Sequence, residues 1–273
     1  MGIFDGVLIC TDLDGTLYKN DKTISRENRE AIEYFKREGG SFTFITGRMP
    51  YYAEDAYRAV SPNVPFGCVN GGGVYDGEAG RYVWTCKMPD GVEALIAAVD
   101  ERLENVGIQI CGFDKTYFAK DNSTTEWFRQ ITGVAHRVCD YRTFDEPIAK
   151  IIFCSEHEAE LQAVEAILRA HPAAERFDFV RSERSLFEIL PKGVHKGMAL
   201  RKLTEYLKLD AKKTIAIGDY DNDVGMFLEA GVGIAVANAC PAALQAADLV
   251  TVSNEEHAVA RVIRDLANKT IVL

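Results

Sequence analysis

A short apolar run that breaks off into a cluster of carboxylates occurs twice in this chain, and it restricts the fold more than any other feature. Gly6–Thr11 ends in Asp12-Leu13-Asp14-Gly15-Thr16, and Thr214–Gly218 ends in Asp219-Tyr220-Asp221-Asn222-Asp223. Short β-rich runs with no polar face, separated by helical stretches, are what strands buried on both sides require. Both ends of the chain keep this rhythm. A helix starts at the N-capping Ser25, carries Glu27 in its first turn and Ala31, Ile32 and Phe35 at helical spacing, and stops at Gly39-Gly40. Strand Ser41–Thr46 leads into a helix from Met49, and Phe66–Asn70 and Gly73–Tyr75 form short strands around a glycine turn. In the last third, helices His195–Leu207, Asp223–Ala230, Pro241–Ala246 and Glu255–Ala267 alternate with strands Thr214–Gly218, Gly233–Val236 and Leu249–Val252. The alternation predicts an α/β, doubly wound parallel sheet.

The middle breaks the pattern. Ile108–Phe113 and Thr116–Ala119 are split by Asp114-Lys115, and Phe177–Arg181 and Ser185–Leu190 by Ser182–Arg184, which are hairpin signals. Helical stretches Gly91–Asn105 and Glu156–Ala170 lie among them. This predicts an inserted α+β domain over residues 83–190, interrupting a core made of 1–82 and 191–273; a chain of 273 residues has room for both.

A net charge of −10 without a basic stripe argues against a nucleic-acid partner. No apolar stretch reaches the ~20 residues that span a bilayer, and the N-terminus has no basic leader, so neither a membrane nor a signal peptide is expected. The seven cysteines are odd in number, have no C-x-x-C spacing and sit partly in apolar runs, which reads as reduced thiols of a cytoplasmic protein.

In open α/β sheets ligands bind at the carboxyl ends of strands, where both acidic clusters fall. Asp12 and Asp14 are two apart just past a strand, and Gly15 permits the turn that faces both to one site. Asp-Gly alone is an ordinary turn, but D-x-D-G-T arises by chance in roughly one such chain in a few hundred. The pair suits slow phosphomonoester hydrolysis: Asp12 as an ionised nucleophile, Asp14 as a protonated acid that later acts as base. The expected metal is Mg2+, which favours hard oxygens; its set is Asp12, Asp14 and Asp219, with one main-chain carbonyl of the first loop among the ligands. Asp223 is placed behind it, holding a metal-bound water or a loop. Asn222, a neutral donor at a helix start, can bind phosphate, as can the Thr46 hydroxyl, the Gly47 N–H and Lys196, which opens a helix after the insertion.

Taken in order, these clusters resemble the haloacid dehalogenase (HAD) superfamily of phosphohydrolases, and within it the Cof-type members with a C2-type cap. Asp12 and Asp14 match the nucleophile loop, Thr46 the second motif, Lys196 the third, and Asp219 with Asp223 the fourth. Only one helix fits between Thr16 and Ser41, whereas Tyr82 to Leu190 occupies the C2 position. The resemblance implies a Rossmann-like core, a cap that closes over the site and helps choose the substrate, and an Mg2+-dependent phosphatase acting on a small phosphorylated metabolite, as a monomer or weak homodimer. A phosphosugar mutase and a non-catalytic phosphometabolite-binding regulator remain alternatives. The mutase would need cap cations such as Arg129, Arg137, Arg142, Arg181 or Arg184 for a second phosphate. Arg48, Asn70 and His195 are open as substrate contacts. Trp127, Tyr117, Phe128 and Phe113 read as cap core or aromatic contacts.

Overall fold

The computed structural model describes residues 2–273. Strand β1 (Leu8–Thr11) leads through a wide turn to α1 (Arg26–Arg37), capped as its sequence requires by the Ser25 hydroxyl accepting the Asn28 N–H at 3.1 Å. β2 (Ser41–Phe44) and α2 (Glu54–Val60) follow, then a small antiparallel sheet of β3 (Phe66–Cys68), β4 (Gly73–Asp76) and β5 (Arg81–Thr85). The chain then forms α3 (Val92–Asp100), the hairpin β6 (Gly107–Gly112) and β7 (Thr116–Lys120), α4 (Ser123–Thr132), β8 (Ile148–Cys154), α5 (Glu158–Arg169) and the hairpin β9 (Phe177–Glu183) and β10 (Leu186–Pro191). It closes with α6 (Lys196–Leu207), β11 (Thr214–Gly218), α7 (Val224–Glu229), β12 (Val232–Ala235), α8 (Pro241–Ala246), β13 (Leu249–Val250) and α9 (Ala258–Ala267).

Two compact units result. One ends at Thr85 and resumes at His195; the other is the continuous stretch Cys86–Val194. In the first, five parallel strands run in the order β13-β12-β11-β1-β2. Leu8, Ile9 and Cys10 are all fully buried, because α6, α7 and α8 cover one face and α1 with α9 the other. Burying each large aliphatic residue contributes about 1.5–3 kcal/mol, so a strand covered on both faces has no place for alternation. The chain leaves β1 toward β2 on one side and β11 toward β12 on the other. The crevice between β1 and β11 is therefore the topological switch point, where such sheets bind ligands.

In the second unit the antiparallel order is β7-β6-β8-β10-β9. Ile108, Ile110, Ile151, Phe153, Phe187 and Ile189 point to one face and pack on Val92, Leu95, Leu161 and Val164 of α3 and α5. Pleat alternation sends Gln109, Lys150 and Glu188 to the opposite face, where all three are buried. Helix α4 goes beyond the sequence expectation. Its run Ser-Thr-Thr-Glu-Trp-Phe is rich in strand-favouring types, yet Asn122 caps it at 2.9 Å from the Thr125 N–H and Gly133, at φ +69°, ends it. Phe128 is buried on this helix, and the Tyr117 hydroxyl donates to Glu146 at 2.5 Å.

Candidate active site

β1 and β11 are neighbours in register, with Thr11 beside Ile217, so Asp12 and Asp219 leave the sheet at the same edge. The Asp12 N–H still donates to the Ile217 carbonyl at 2.8 Å, which fixes where the first loop departs. That loop needs Gly15: its φ is +83°, and a side chain there would run into the Asp219 carboxylate, with Cβ 2.4 Å from Oδ2. Thr16 completes the contact by donating its hydroxyl to Asp219 Oδ1 at 2.9 Å.

Lys196 enters from the first turn of α6 and is 1% exposed. Its ammonium donates to Asp12 Oδ1 at 2.5 Å and to Asp223 Oδ1 at 2.6 Å. The helix can come this close because Gly197 lies against the Gly225 carbonyl, where a Cβ would sit 2.1 Å from the oxygen. His195 lies against Gly225, where a Cβ would sit 2.4 Å from its Nδ1, and that nitrogen is buried with no hydrogen-bond partner among the described residues. Asp223 Oδ2 accepts the N–H groups of Asp219 and Tyr220 at 2.9 and 3.0 Å, which ties the second acidic loop into a tight turn.

Asp12, Asp219 and Asp223 each place one carboxylate oxygen within 4.8 Å of the others. The Asp14 carboxylate is outside this group. It is gripped by Arg48, whose Nε reaches Oδ2 at 3.1 Å and whose Nη2 reaches both oxygens at 2.8 Å, and by Lys22 at 2.8 Å from Oδ1. The proton affinities follow from these surroundings. Burial, together with Asp223, Asp219 and Asp14, pushes Asp12 well above the usual carboxylate range against the pull of Lys196. Burial and the Asp223 charge push Asp219 to about 6. Burial would also raise Asp14, but Arg48 and Lys22 outweigh it and hold its carboxyl below the usual range. The sequence leads one to expect a charged Asp12 and a protonated Asp14; the protein groups around them, taken alone, pull each carboxyl in the opposite direction.

Thr46 is buried and its hydroxyl accepts the Arg48 N–H at 3.2 Å, while the Asn70 N–H donates to its carbonyl at 3.1 Å. Asn70, in the left-handed region at φ +50°, also accepts the Asn222 side-chain amide at 3.1 Å and crowds Gly47, where a Cβ would be 2.8 Å from its Oδ1. It therefore links the Thr46–Gly47 loop to the second acidic loop. The grip on Asp14 by Arg48 and Lys22, the Thr16 contact to Asp219 and the Asn70 bridge are not readable from spacing. The one signal for Arg48 is its place directly after Thr46-Gly47.

Comparison with known proteins identifies the family. The profile of the haloacid dehalogenase-like hydrolases matches residues 9–263. A Bacillus subtilis protein named as a 5-amino-6-(5-phospho-D-ribitylamino)uracil phosphatase is 31% identical over 267 residues, covering 94% of this chain and 96% of its own length. A crystal structure from Thermotoga maritima superposes with a TM-score of 0.82 at 28% identity, covering 98% of both chains. A haloacid dehalogenase-like hydrolase from Bacteroides thetaiotaomicron gives a TM-score of 0.82 at 26% identity, covering 95% of this chain and 99% of its own. The chain belongs to the haloacid dehalogenase-like hydrolases, with their α/β core and an inserted α+β unit.

Proposed function

We propose that this protein is a magnesium-dependent phosphatase that hydrolyses a small phosphorylated metabolite, a sugar phosphate or similar, through an aspartyl-phosphate on Asp12. One observation carries the reading: a fully buried lysine faces two carboxylates, with a third in reach. A buried surplus of negative charge is costly, and a dication relieves it. The donors suit Mg2+, since all are hard oxygens, and Asp12 and Asp219 each bind a protein donor through only one oxygen among the described residues. Asp12 and Asp219, with a main-chain carbonyl of the first loop, would hold the ion, while Asp223 serves Lys196 and the loop amides. Bound there, Mg2+ would supply charge neutralisation for the phosphoryl oxygens.

The rest of the chemistry belongs to the chain. An Asp12 oxygen attacks phosphorus, the ester P–O bond breaks, and the leaving oxygen takes a proton from Asp14. Water then attacks the phosphoryl group and gives a proton back to Asp14; the Asp12–phosphorus bond breaks and inorganic phosphate leaves. Asp14 gains its proton because an incoming phosphoryl dianion opposes its charge and competes for its cations. Lys196 fixes Asp12 and presents charge to the same group, and Thr46, Gly47 and Asn222 would grip its oxygens. The named substrate of the Bacillus relative, a phosphorylated ribitylamino compound, supports a substrate of this size.

Turnover of p-nitrophenyl phosphate with Mg2+ tests the reading. Asp12→Asn should lower kcat by at least about 10^3-fold with the fold intact. EDTA should abolish turnover and Mg2+ restore it. A variant with wild-type kcat, or indifference to chelation, removes the nucleophile or the metal respectively.

A further inference from the structure

We infer that Arg48 is a positioning residue that sets the orientation of Asp14 and thereby couples phosphate binding to leaving-group protonation; the inference rests on the phosphatase reading above. Arg48 meets the Asp14 carboxylate edge-on with Nε and Nη2, the two-pronged geometry that fixes direction as well as distance. The guanidinium is itself held. Its carbon lies 5.6 Å from the ring centre of Tyr18, and Nη1 reaches the Tyr52 carbonyl at 3.5 Å. The backbone of Arg48 is pinned on both sides, its N–H on the Thr46 hydroxyl at 3.2 Å and its carbonyl on the Val69 N–H at 3.0 Å.

A second device acts on the same carboxylate from the opposite end of the first loop. Lys19–Thr23 closes a tight turn in which Lys22 adopts φ +62°. A non-glycine residue pays for that conformation only where the surroundings require it, and here it delivers the lysine ammonium to Asp14 Oδ1 at 2.8 Å. Two cations from separate segments thus converge on the side chain assigned to proton transfer.

The placement of Arg48 gives this a consequence. The residue that orients Asp14 follows Thr46 and Gly47, whose hydroxyl and N–H are the phosphate grip. The same pinned segment thus carries the phosphate grip and the clamp, so a phosphate docked at Thr46 and Gly47 and an Asp14 aimed by Arg48 share one fixed frame. Loss of Arg48 leaves the nucleophile and Lys196 untouched but lets Asp14 wander.

Leaving-group dependence reads this directly. p-Nitrophenolate departs without needing a proton, whereas an alkoxide must be protonated as the ester bond breaks. In single turnover, where release of the alcohol reads ester cleavage alone, Arg48→Ala should slow release from an alkyl phosphate such as glycerol phosphate by about 10^2-fold or more and p-nitrophenolate release only a few-fold; kcat does not separate them, because Asp14 also takes the proton of the attacking water in the second half-reaction of both substrates. Arg48→Lys should fail to rescue, since one ammonium cannot replace the fork, and Lys22→Met should show a weaker loss of the same selectivity. Asp14→Asn should share the selective defect in that single-turnover step, and adding Arg48→Ala to it should cost little more, because both act through one group. Equal losses on both substrates in the single-turnover step, or additive losses in the double variant, would overturn the inference and make Arg48 a phosphate or fold residue. A wild-type chain that turns over neither substrate would instead overturn the phosphatase reading itself.

Discussion

Among the described residues each unit of this protein buries one lysine, and the two have different surroundings. In the parallel core Lys196, 1% exposed, stands at a helix start between Asp12 and Asp223, with Asp219 in reach. In the inserted unit Lys150, 4% exposed, stands in mid-strand and donates to Glu188 at 2.9 Å, whose other oxygen accepts the Ser182 hydroxyl at 2.6 Å. The second arrangement matches an ammonium with a carboxylate across β8 and β10. The first gathers carboxylates beyond what its cation can neutralise, at the open end of a sheet. Charge surplus at strand termini marks a place built to receive something, and matched charge within a strand marks a structural tie.

The largest effect separating them concerns turnover. Lys196→Met should lower kcat for p-nitrophenyl phosphate by about 10^3-fold, because Asp12 and the phosphoryl group lose the same cation. Steady-state kinetics with saturating Mg2+ checks this; a loss below tenfold would mean that Lys196 is only a structural tie like Lys150. Next comes stability. Lys150→Met should destabilise the fold by about 3–5 kcal/mol in urea unfolding, since Glu188 is left buried and charged, while the double change Lys150→Met with Glu188→Leu should recover most of that loss. If the double variant stays as unstable as the single one, the pair does more than balance charge.

The smallest effect is a pH dependence, confined to the core. Asp219 is pushed up to about 6 by burial and Asp223, so the folded chain holds its proton more tightly than the unfolded chain does. That contribution favours the metal-free fold at low pH and fades as pH rises through about 6. A cation needs the carboxylate, so the Tm gain from added Mg2+ should be slight at pH 5 and grow to a few degrees above pH 7. Thermal melts across that range check it, and an unchanging gain would remove Asp219 from the metal set.

The core was readable because its signals are local. Strands buried on both faces have to be short and apolar, and carboxylates placed right after them have to lie at one edge once the strands pair in parallel; Thr11 beside Ile217 realises this for Asp12 and Asp219. The partners of Asp14 were not readable. Arg48 and Lys22 reach it from segments whose side-chain directions depend on a left-handed turn and on packing against Tyr18, neither of which leaves a spacing pattern. Helix α4 was hidden because Thr124, Thr125, Trp127 and Phe128 favour strands, and its caps at Asn122 and Gly133 overrode them. The buried polar row of Gln109, Lys150 and Glu188 is likewise set by strand register, which the sequence does not print.

The insertion point between Thr85 and His195 also sets an order of events during synthesis. The stretch Cys86–Val194 is continuous, so all its strands have their partners as soon as it leaves the ribosome. β1 must wait: one of its two neighbours, β11, is made only after that whole stretch. Until then the nascent chain carries an unpaired apolar edge and an Asp12 with no lysine beside it, so a product truncated before residue 196 would hold every strand of the insert and none of the contacts that Lys196 makes.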